Sequence, residues 1–199
     1  MKVAIIKYNA GNVFSVQCAL SRIGVEAVVT GDHREIRSAD RVIFPGVGEA
    51  SSAMAYLRGH GLDTVIKSLT QPVLGICIGM QLLCRSSEEG PADCLGVFDV
   101  DVRRFDNSQD PSLKIPHMGW NTLAVTGGDR KVIDDSLEGR YVYFVHSYYA
   151  PVCRHTAAQC GYITPFSAAL AKDNFYATQF HPEKSGSVGE KILKNFIEL

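Results

Sequence analysis

No CxxC pair occurs in this sequence, although it holds six cysteines, at positions 18, 77, 84, 94, 153 and 160. No pair of histidines supplies the missing half of a zinc site either, so a structural zinc centre is excluded. Charge of one sign is also lacking: Lys and Arg number 20 against 21 Asp and Glu, a formal net charge of -1. That balance excludes a basic nucleic-acid footprint and a polybasic membrane patch. Nor is there a long hydrophobic run at the start. MKVAIIKYNAGN turns polar after seven or eight mostly apolar residues. That is too short to span a bilayer, and no small-residue cleavage site follows. The run reads as a buried first strand, in a cytoplasmic protein whose thiols stay reduced. Internal repeats, low-complexity tracts and linkers are absent, and so is a phosphate-cradling GxxxxGK[ST] segment.

What is present suits an ordinary globular chain. Hydrophobic residues make up 46 % and charged residues 21 % of 199 residues. A chain of that size buries about 70% of the surface its unfolded form exposes, enough to stand without disulfides or metal. One domain, residues 1–199, is expected.

The first half alternates strand-like and helix-like stretches. Val3 to Lys7 is an apolar run followed by the turn Asn9-Ala10-Gly11. Val13, Val16, Gln17, Leu20 and Ile23 then recur at helical spacing up to Gly24. Val25 to Thr30, Arg41 to Phe44 and Gln71 to Cys77 read as strands. Ala50 to Arg58 reads as a helix, and Met80 to Arg85 as the start of another. Repeated β-α units with short apolar strands predict an α/β fold, a mostly parallel open sheet with helices on both faces. From Val97 to Ala150 the pattern changes to alternating stretches: Val100 to Arg103, Trp120 to Val125 and Tyr141 to Tyr149. These read as an antiparallel segment added to the parallel core. Phe175 to Gln179 is the last strand, and a helix from about Val188 to Ile197 closes the chain.

The most informative segment is Gly75-Ile76-Cys77-Ile78-Gly79, between an apolar strand and a helix. It has the form of a G-x-nucleophile-x-G elbow with cysteine in place of serine. The turn is tight, so the residues two before and two after the nucleophile must be nearly without side chains. A sulfur at such a turn lies beside a helix N-terminus, whose partial positive charge favours an anion. For a cysteine alone, burial at a strand end is the simpler reading; the two flanking glycines favour the elbow.

A cysteine nucleophile needs a base, and the base an orienting group. His33 and His60 lie in polar stretches, and His155 has no companion motif. His117 and His146 are better placed but have no carboxylate within a few residues. His181 has one, in Gln179-Phe180-His181-Pro182-Glu183, where the last strand ends. In an open α/β sheet, sites form at the carboxyl ends of strands. Pro182 stops ladder pairing there, and the spacing lets Glu183 reach the imidazole nitrogen that faces away from the sulfur. Pro45-Gly46-Val47-Gly48, past the third strand, can present backbone N–H groups to an oxyanion, although the same residues also suit a plain strand-ending turn.

In this order, these segments resemble the class-I, or triad, glutamine amidotransferases. Within that family the likeness is closest to the glutaminase subunits of imidazole glycerol phosphate synthases. It is carried by Tyr8-Asn9-Ala10-Gly11-Asn12, the PGVG and elbow segments, Pro116-His117-Met118-Gly119-Trp120-Asn121, Tyr143-Phe144-Val145-His146-Ser147-Tyr148 and Gln179 to Ser185, and it spans nearly the whole chain. There are two departures. Lys7 precedes Tyr8 where the family often has an acid, and the carboxyl end is short, stopping at Leu199.

The resemblance implies a flavodoxin-like, class-I amidotransferase fold and a Cys77, His181, Glu183 triad that hydrolyses L-glutamine through a γ-glutamyl thioester. It implies that Gln81, Gly48 and the backbone of Ser147 and Tyr148 bind the substrate, and that Gly46, Val47 and Gly48 form the oxyanion strand. No cofactor and no metal are implied. The implied partner is a (β/α)8-barrel cyclase, in a heterodimer, that uses the ammonia in histidine biosynthesis. Trp120, Tyr143 and Lys184 are the implied partner face. Trp120 and Tyr143 would otherwise be core aromatics, and Lys184 a solvated lysine. Two other readings remain open at this point: the glutaminase of an anthranilate, guanylate or pyridoxal phosphate synthase, and a non-enzymatic flavodoxin-like module that would not need His181 and Glu183.

Overall fold

The computed structural model describes residues 1–9, 12–46 and 48–199; Ala10, Gly11 and Val47 lie outside the described residues. In chain order, the first half runs β1 (Val3–Ile6), α1 (Val13–Arg22), β2 (Ala27–Thr30), α2 (His33–Arg37), β3 (Arg41–Phe44), α3 (Ala50–Gly59), α4 (Leu62–Lys67), β4 (Val73–Ile76) and α5 (Ile78–Leu83). The second half runs β5 (Ser86–Ser87), β6 (Ala92–Asp93), β7 (Asp101–Arg104), β8 (His117–Thr122), β9 (Ala124–Val125), β10 (Tyr141–His146) and β11 (Tyr148–Tyr149). It ends with β12 (Thr156–Gly161), β13 (Pro165–Lys172), β14 (Phe175–Thr178), a 3-10 turn at Pro182–Lys184 and α6 (Gly186–Ile197).

One sheet organises these elements, in the order β2-β1-β3-β4-β14-β13-β12-β9. The pairs from β2 to β14 are parallel; β14 with β13, β13 with β12 and β12 with β9 are antiparallel. The parallel strands are apolar without alternation because both faces are covered. Ala4, Ile6, Val42 and Phe44 join a core with Met54 and Leu57 of α3 and Val65 and Ile66 of α4. Val3, Ile5, Ile43 and Leu74 join the opposite core with Val16 and Leu20 of α1 and Leu193 and Phe196 of α6. Doubly covered, mostly parallel and extended by an antiparallel segment, the sheet has the expected fold class.

The antiparallel extension differs from expectation in which strands make it. β13 and β12 add to the parallel core, although Pro165–Lys172 reads PFSAALAK and has weak strand propensity. Ala168 and Ala169 are buried in the middle of the sheet, and pairing on both edges overrides propensity. The stretch Trp120 to Val125 is split: β8 pairs with β10 in a separate two-stranded sheet, and β9 joins the edge of the large one. Tyr141 to Tyr149 is likewise divided, β11 pairing with β7 in a four-stranded sheet with β5 and β6. α2 falls in a stretch read as polar loop. Asp32 caps it, accepting from the N–H groups of Arg34 and Glu35 at 2.8 and 2.9 Å. No helix among the described residues is long and apolar enough to cross a membrane.

α5 lies so close to the sheet that there is no room for a side chain at Gly79. A Cβ on Gly79 would sit 1.9 Å from the Phe44 carbonyl oxygen, and one on Gly75 2.8 Å from Leu83 Cδ1. Gly79→Ala forces backbone against backbone and is expected to cost about 1–3 kcal/mol or more. Urea denaturation of the variant beside wild type measures it; an unchanged midpoint would mean that the elbow has slack the structure does not show.

Candidate active site

Two neighbouring parallel strands end at the site. After β4, Cys77 takes φ 54° and ψ −108°. A non-glycine residue seldom holds such a φ, and its surroundings fix it here. The Cys77 N–H donates to the Thr178 carbonyl at 2.8 Å, and the Cys77 carbonyl accepts from the N–H groups of Met80 and Gln81 at 3.0 and 3.2 Å. The side chain, 8 % exposed, stands at the head of α5.

Beside it, the chain leaving β14 carries Gln179, Phe180 and His181 into the turn at Pro182–Lys184. His181 Nδ1 lies 2.7 Å from Glu183 Oε1, with the two side chains 1 and 0 % exposed. Asn12 Nδ2 donates to the same carboxylate oxygen. Among the described residues, His181 Nε2 and Glu183 Oε2 have no hydrogen-bond partner, so Nε2 is the nitrogen left for the cavity. The His181 loop is held from the opposite strand. Its N–H donates to the Tyr143 carbonyl at 3.0 Å, and Ser185 Oγ donates to the His181 carbonyl at 2.7 Å. Burial opposes an imidazolium at His181. The Cys77 sulfur and then the Glu183 carboxylate outweigh it, so its pKa is raised above the usual histidine range.

These groups meet in a cavity of about 300 Å³ lined also by Gly48, Gln81, Glu89, His146, Ser147 and Tyr148. Gln81 is no helix-surface residue: at 3 % exposure it donates from Nε2 to the Tyr148 carbonyl at 3.0 Å and to Gln179 Oε1 at 2.9 Å. Gln179 Nε2 in turn lies 3.8 Å from Cys77 Sγ. Of the expected oxyanion strand, Gly48 borders the cavity with φ 123°, and Val47 lies outside the described residues. Gly46 is pinned, since a Cβ there would fall 2.1 Å from Ile78 Cγ2 and from the Tyr8 hydroxyl. That hydroxyl donates to the Pro45 carbonyl at 2.8 Å.

Trp120, Tyr143 and Lys184 stand apart from the cavity but together. Trp120 is 56 % exposed and not a core residue; its ring meets Tyr143 edge-on at 6.0 Å, and Lys184 Nζ lies 6.0 Å from the Tyr143 ring. Met118 and Tyr141 are exposed on the same two strands.

Asn12, Glu89, Gln179 and His146 are given no role by sequence reasoning, yet all reach the site. Glu89 is the acid in the cavity wall. It accepts from the Ala50 N–H at 3.2 Å, and burial raises its pKa. Each of the four contacts a partner remote in sequence, so spacing gives no signal for them. No group of three or more His, Cys, Asp or Glu among the described residues could hold a metal ion.

A buried cysteine at a strand–helix elbow, a histidine held by a glutamate and a cavity beside them define an acyl-transfer site of the triad type. Known proteins agree: the chain belongs to the class-I glutamine amidotransferase family, whose model, "Glutamine amidotransferase class-I", matches residues 5–199. More narrowly, it is 61% identical to the imidazole glycerol phosphate synthase subunit HisH of Bacteroides thetaiotaomicron, over all of both chains. It is 48% identical to the Escherichia coli protein of the same name, again over 100% of each. A crystal structure of a glutamine amidotransferase superposes with TM-score 0.75 at 19% identity, covering 100% of this chain and 98% of that one. Another glutamine amidotransferase, from Thermotoga maritima, gives 0.66 at 17%, covering 100% and 81%. At those identities the structures speak for the fold alone.

The buried histidines set the pH response. Burial lowers His117 to about 4 and His146 to about 3. Unfolded, both take a proton near pH 6.5, so from there downward the unfolded chain binds more protons and stability falls with pH. His181, with its raised pKa, acts oppositely: its contribution is full below about pH 6.5 and is lost as pH rises through the folded value. Between pH 7 and 5 the urea midpoint should therefore fall, and less steeply in His117→Phe. Parallel slopes in the two proteins would assign the acid response elsewhere.

Proposed function

We propose that this chain is the glutaminase subunit of an imidazole glycerol phosphate synthase in histidine biosynthesis. It would hydrolyse L-glutamine to glutamate and pass ammonia to a (β/α)8-barrel cyclase, in a cytoplasmic heterodimer. The observation that carries the chemistry is Cys77, at positive φ, sharing one cavity with His181, which the buried Glu183 holds from behind. The full-length relatives at 61 and 48% identity support this synthase over the other glutaminases, and a non-enzymatic module leaves the buried ion pair without a purpose.

The steps follow from the atoms. The Cys77 sulfur attacks the carboxamide carbon of glutamine, and the oxygen, now anionic, takes hydrogen bonds from the backbone of Gly46, Val47 and Gly48. His181 Nε2 gives its proton to the departing nitrogen, so that ammonia leaves and a γ-glutamyl thioester remains. A water then attacks the thioester, giving a proton to His181, and glutamate departs as the sulfur regains its charge. Glu183 holds the imidazole in place through Nδ1, with Asn12 steadying the carboxylate. At the substrate's far end, Ser147 and Tyr148 offer backbone groups, Gln81 a carboxamide and Glu89 a negative charge to the ammonium. Trp120, Tyr143 and Lys184 lie on the face where the cyclase docks. Ammonia released into water would be protonated and lost, so the acceptor enzyme must cover the exit.

Cys77→Ala should abolish glutamine-dependent synthesis by the complex and leave synthesis from added ammonia intact. Glutamate release by that variant with partner and nucleotide saturating would remove Cys77 as nucleophile. Glu183→Gln should be milder than His181→Ala, and the double variant should cost far less than the product of the two, because triad members act as a unit. Fully multiplicative losses would separate the pair. Lys184→Glu should weaken partner binding in a low-salt titration without changing thiol labelling at Cys77; unchanged affinity would take Lys184 off the interface.

A further inference from the structure

His117 and His146 have no part in those steps, yet their hydrogen bonds can be read in only one direction. The two residues stand opposite each other in the β8–β10 pair and are 3 and 6 % exposed. His146 Nδ1 lies 2.8 Å from the Tyr148 carbonyl, which can only accept, so Nδ1 carries the hydrogen. A neutral His146 then has its lone pair on Nε2, which takes the N–H of His117 Nδ1 at 3.0 Å. His117 Nε2 is left as an acceptor, with Asn121 Nδ2 facing it at 3.4 Å and sharing its other hydrogen with the Gly161 carbonyl at 3.0 Å. The His117 ring cannot turn away, because it is stacked between Phe144 at 4.9 Å and Tyr162 at 4.1 Å. Burial without a nearby acid keeps both rings uncharged, as this pattern requires.

The chain of bonds ends at the cavity. The Tyr148 carbonyl has two lone pairs: one takes His146 Nδ1–H, the other Gln81 Nε2–H at 3.0 Å. Gln81 passes its second hydrogen to Gln179, whose amide reaches the Cys77 sulfur. We propose that His146, oriented by His117 and Asn121, is a positioning residue of the glutamine site: its Nδ1–H fixes the Tyr148 carbonyl, and with it the Ser147–Tyr148 backbone and the direction of the Gln81 carboxamide. Without that hydrogen the carbonyl is held only by Gln81, which must then serve both it and the substrate. The proposal rests on reading the cavity as the glutamine site.

The side chains of asparagine and glutamine separate position from bulk. Asn places an N–H where Nδ1 stands; Gln places its own where Nε2 stands and cannot serve the carbonyl. In the complex with the cyclase, glutamate release is measured against glutamine concentration. His146→Leu and His146→Gln should raise KM about tenfold, the worth of one buried hydrogen bond, with kcat within about twofold. His146→Asn should recover most of that loss. His117→Phe, which keeps the stack but removes the orienting bond, should raise KM by a smaller factor. If His146→Leu does not fold, the Gln and Asn variants carry the comparison alone. An unchanged KM in the Gln variant overturns the proposal, as does a fall in kcat and a rise in KM that Asn fails to rescue, which would make His146 a packing residue. A wild-type complex that releases no glutamate overturns the glutaminase reading and this proposal with it; a wild-type complex that does, beside indifferent variants, overturns this proposal alone.

Discussion

Strands β4 and β14 run parallel and side by side, with Thr178 opposite Ile76, and the ladder continues one residue further, where the Cys77 N–H donates to the Thr178 carbonyl at 2.8 Å. Everything at the site follows from that shared exit. One chain turns sharply into α5 and leaves the sulfur at the turn; the other continues straight through Gln179 to His181. Parallel strands present their carboxyl ends on the same edge, so two segments remote in sequence deliver Cys77 and His181 to one place. The positive φ at Cys77 is strain that the pairing and the tight seat of Gly79 against β3 maintain.

Three buried histidines lie within this small volume, and their neighbours divide them by charge. His181 is flanked by a thiol and a carboxylate, and these two potential anions offset the cost of burying a cation. His117 and His146 meet carbonyls, an amide and aromatic faces, with no acid among their partners, and burial leaves them neutral. The residue type is the same and the burial similar. The neighbouring charges and hydrogen-bond partners decide which ring favours a proton and which stays neutral.

The legible parts of the sequence were those whose signal is local. β1, β3, β14 and α1 announce themselves by apolar runs and helical spacing, and the elbow by two glycines around a cysteine. His181 and Glu183 are close enough in sequence to be read as a pair. β12 and β13 were not legible, because alanine fits a buried strand only when neighbours on both sides exclude everything larger. α2 gives no periodic signal, since five residues are too few, and Asp32 is its only N-cap cue. The division of Tyr141 to Tyr149 between two sheets, like the contacts of Asn12, Glu89, Gln179 and His146, depends on partners that only the folded chain brings near.

β10 joins these separate features into one device. Its outward side chains, Tyr141 and Tyr143, lie with Trp120 and Met118 on the exposed apolar face. Its inward side chains, Val142 and Phe144, anchor it in the core beneath α6. Its backbone at Tyr143 binds the His181 N–H and, through its own N–H, Ser185 Oγ. Just past its end, Ser147 and Tyr148 line the cavity. In the proposed complex a partner pressing on the apolar face therefore acts on a strand that already carries the base at one point and the substrate wall at another. A small shift of β10 moves both together, since it is bonded to each through backbone groups that have no rotamers to absorb the change. That arrangement would make the proposed partner face and the cavity mechanically one object, with Val145, cross-strand from Met118, itself lining the cavity.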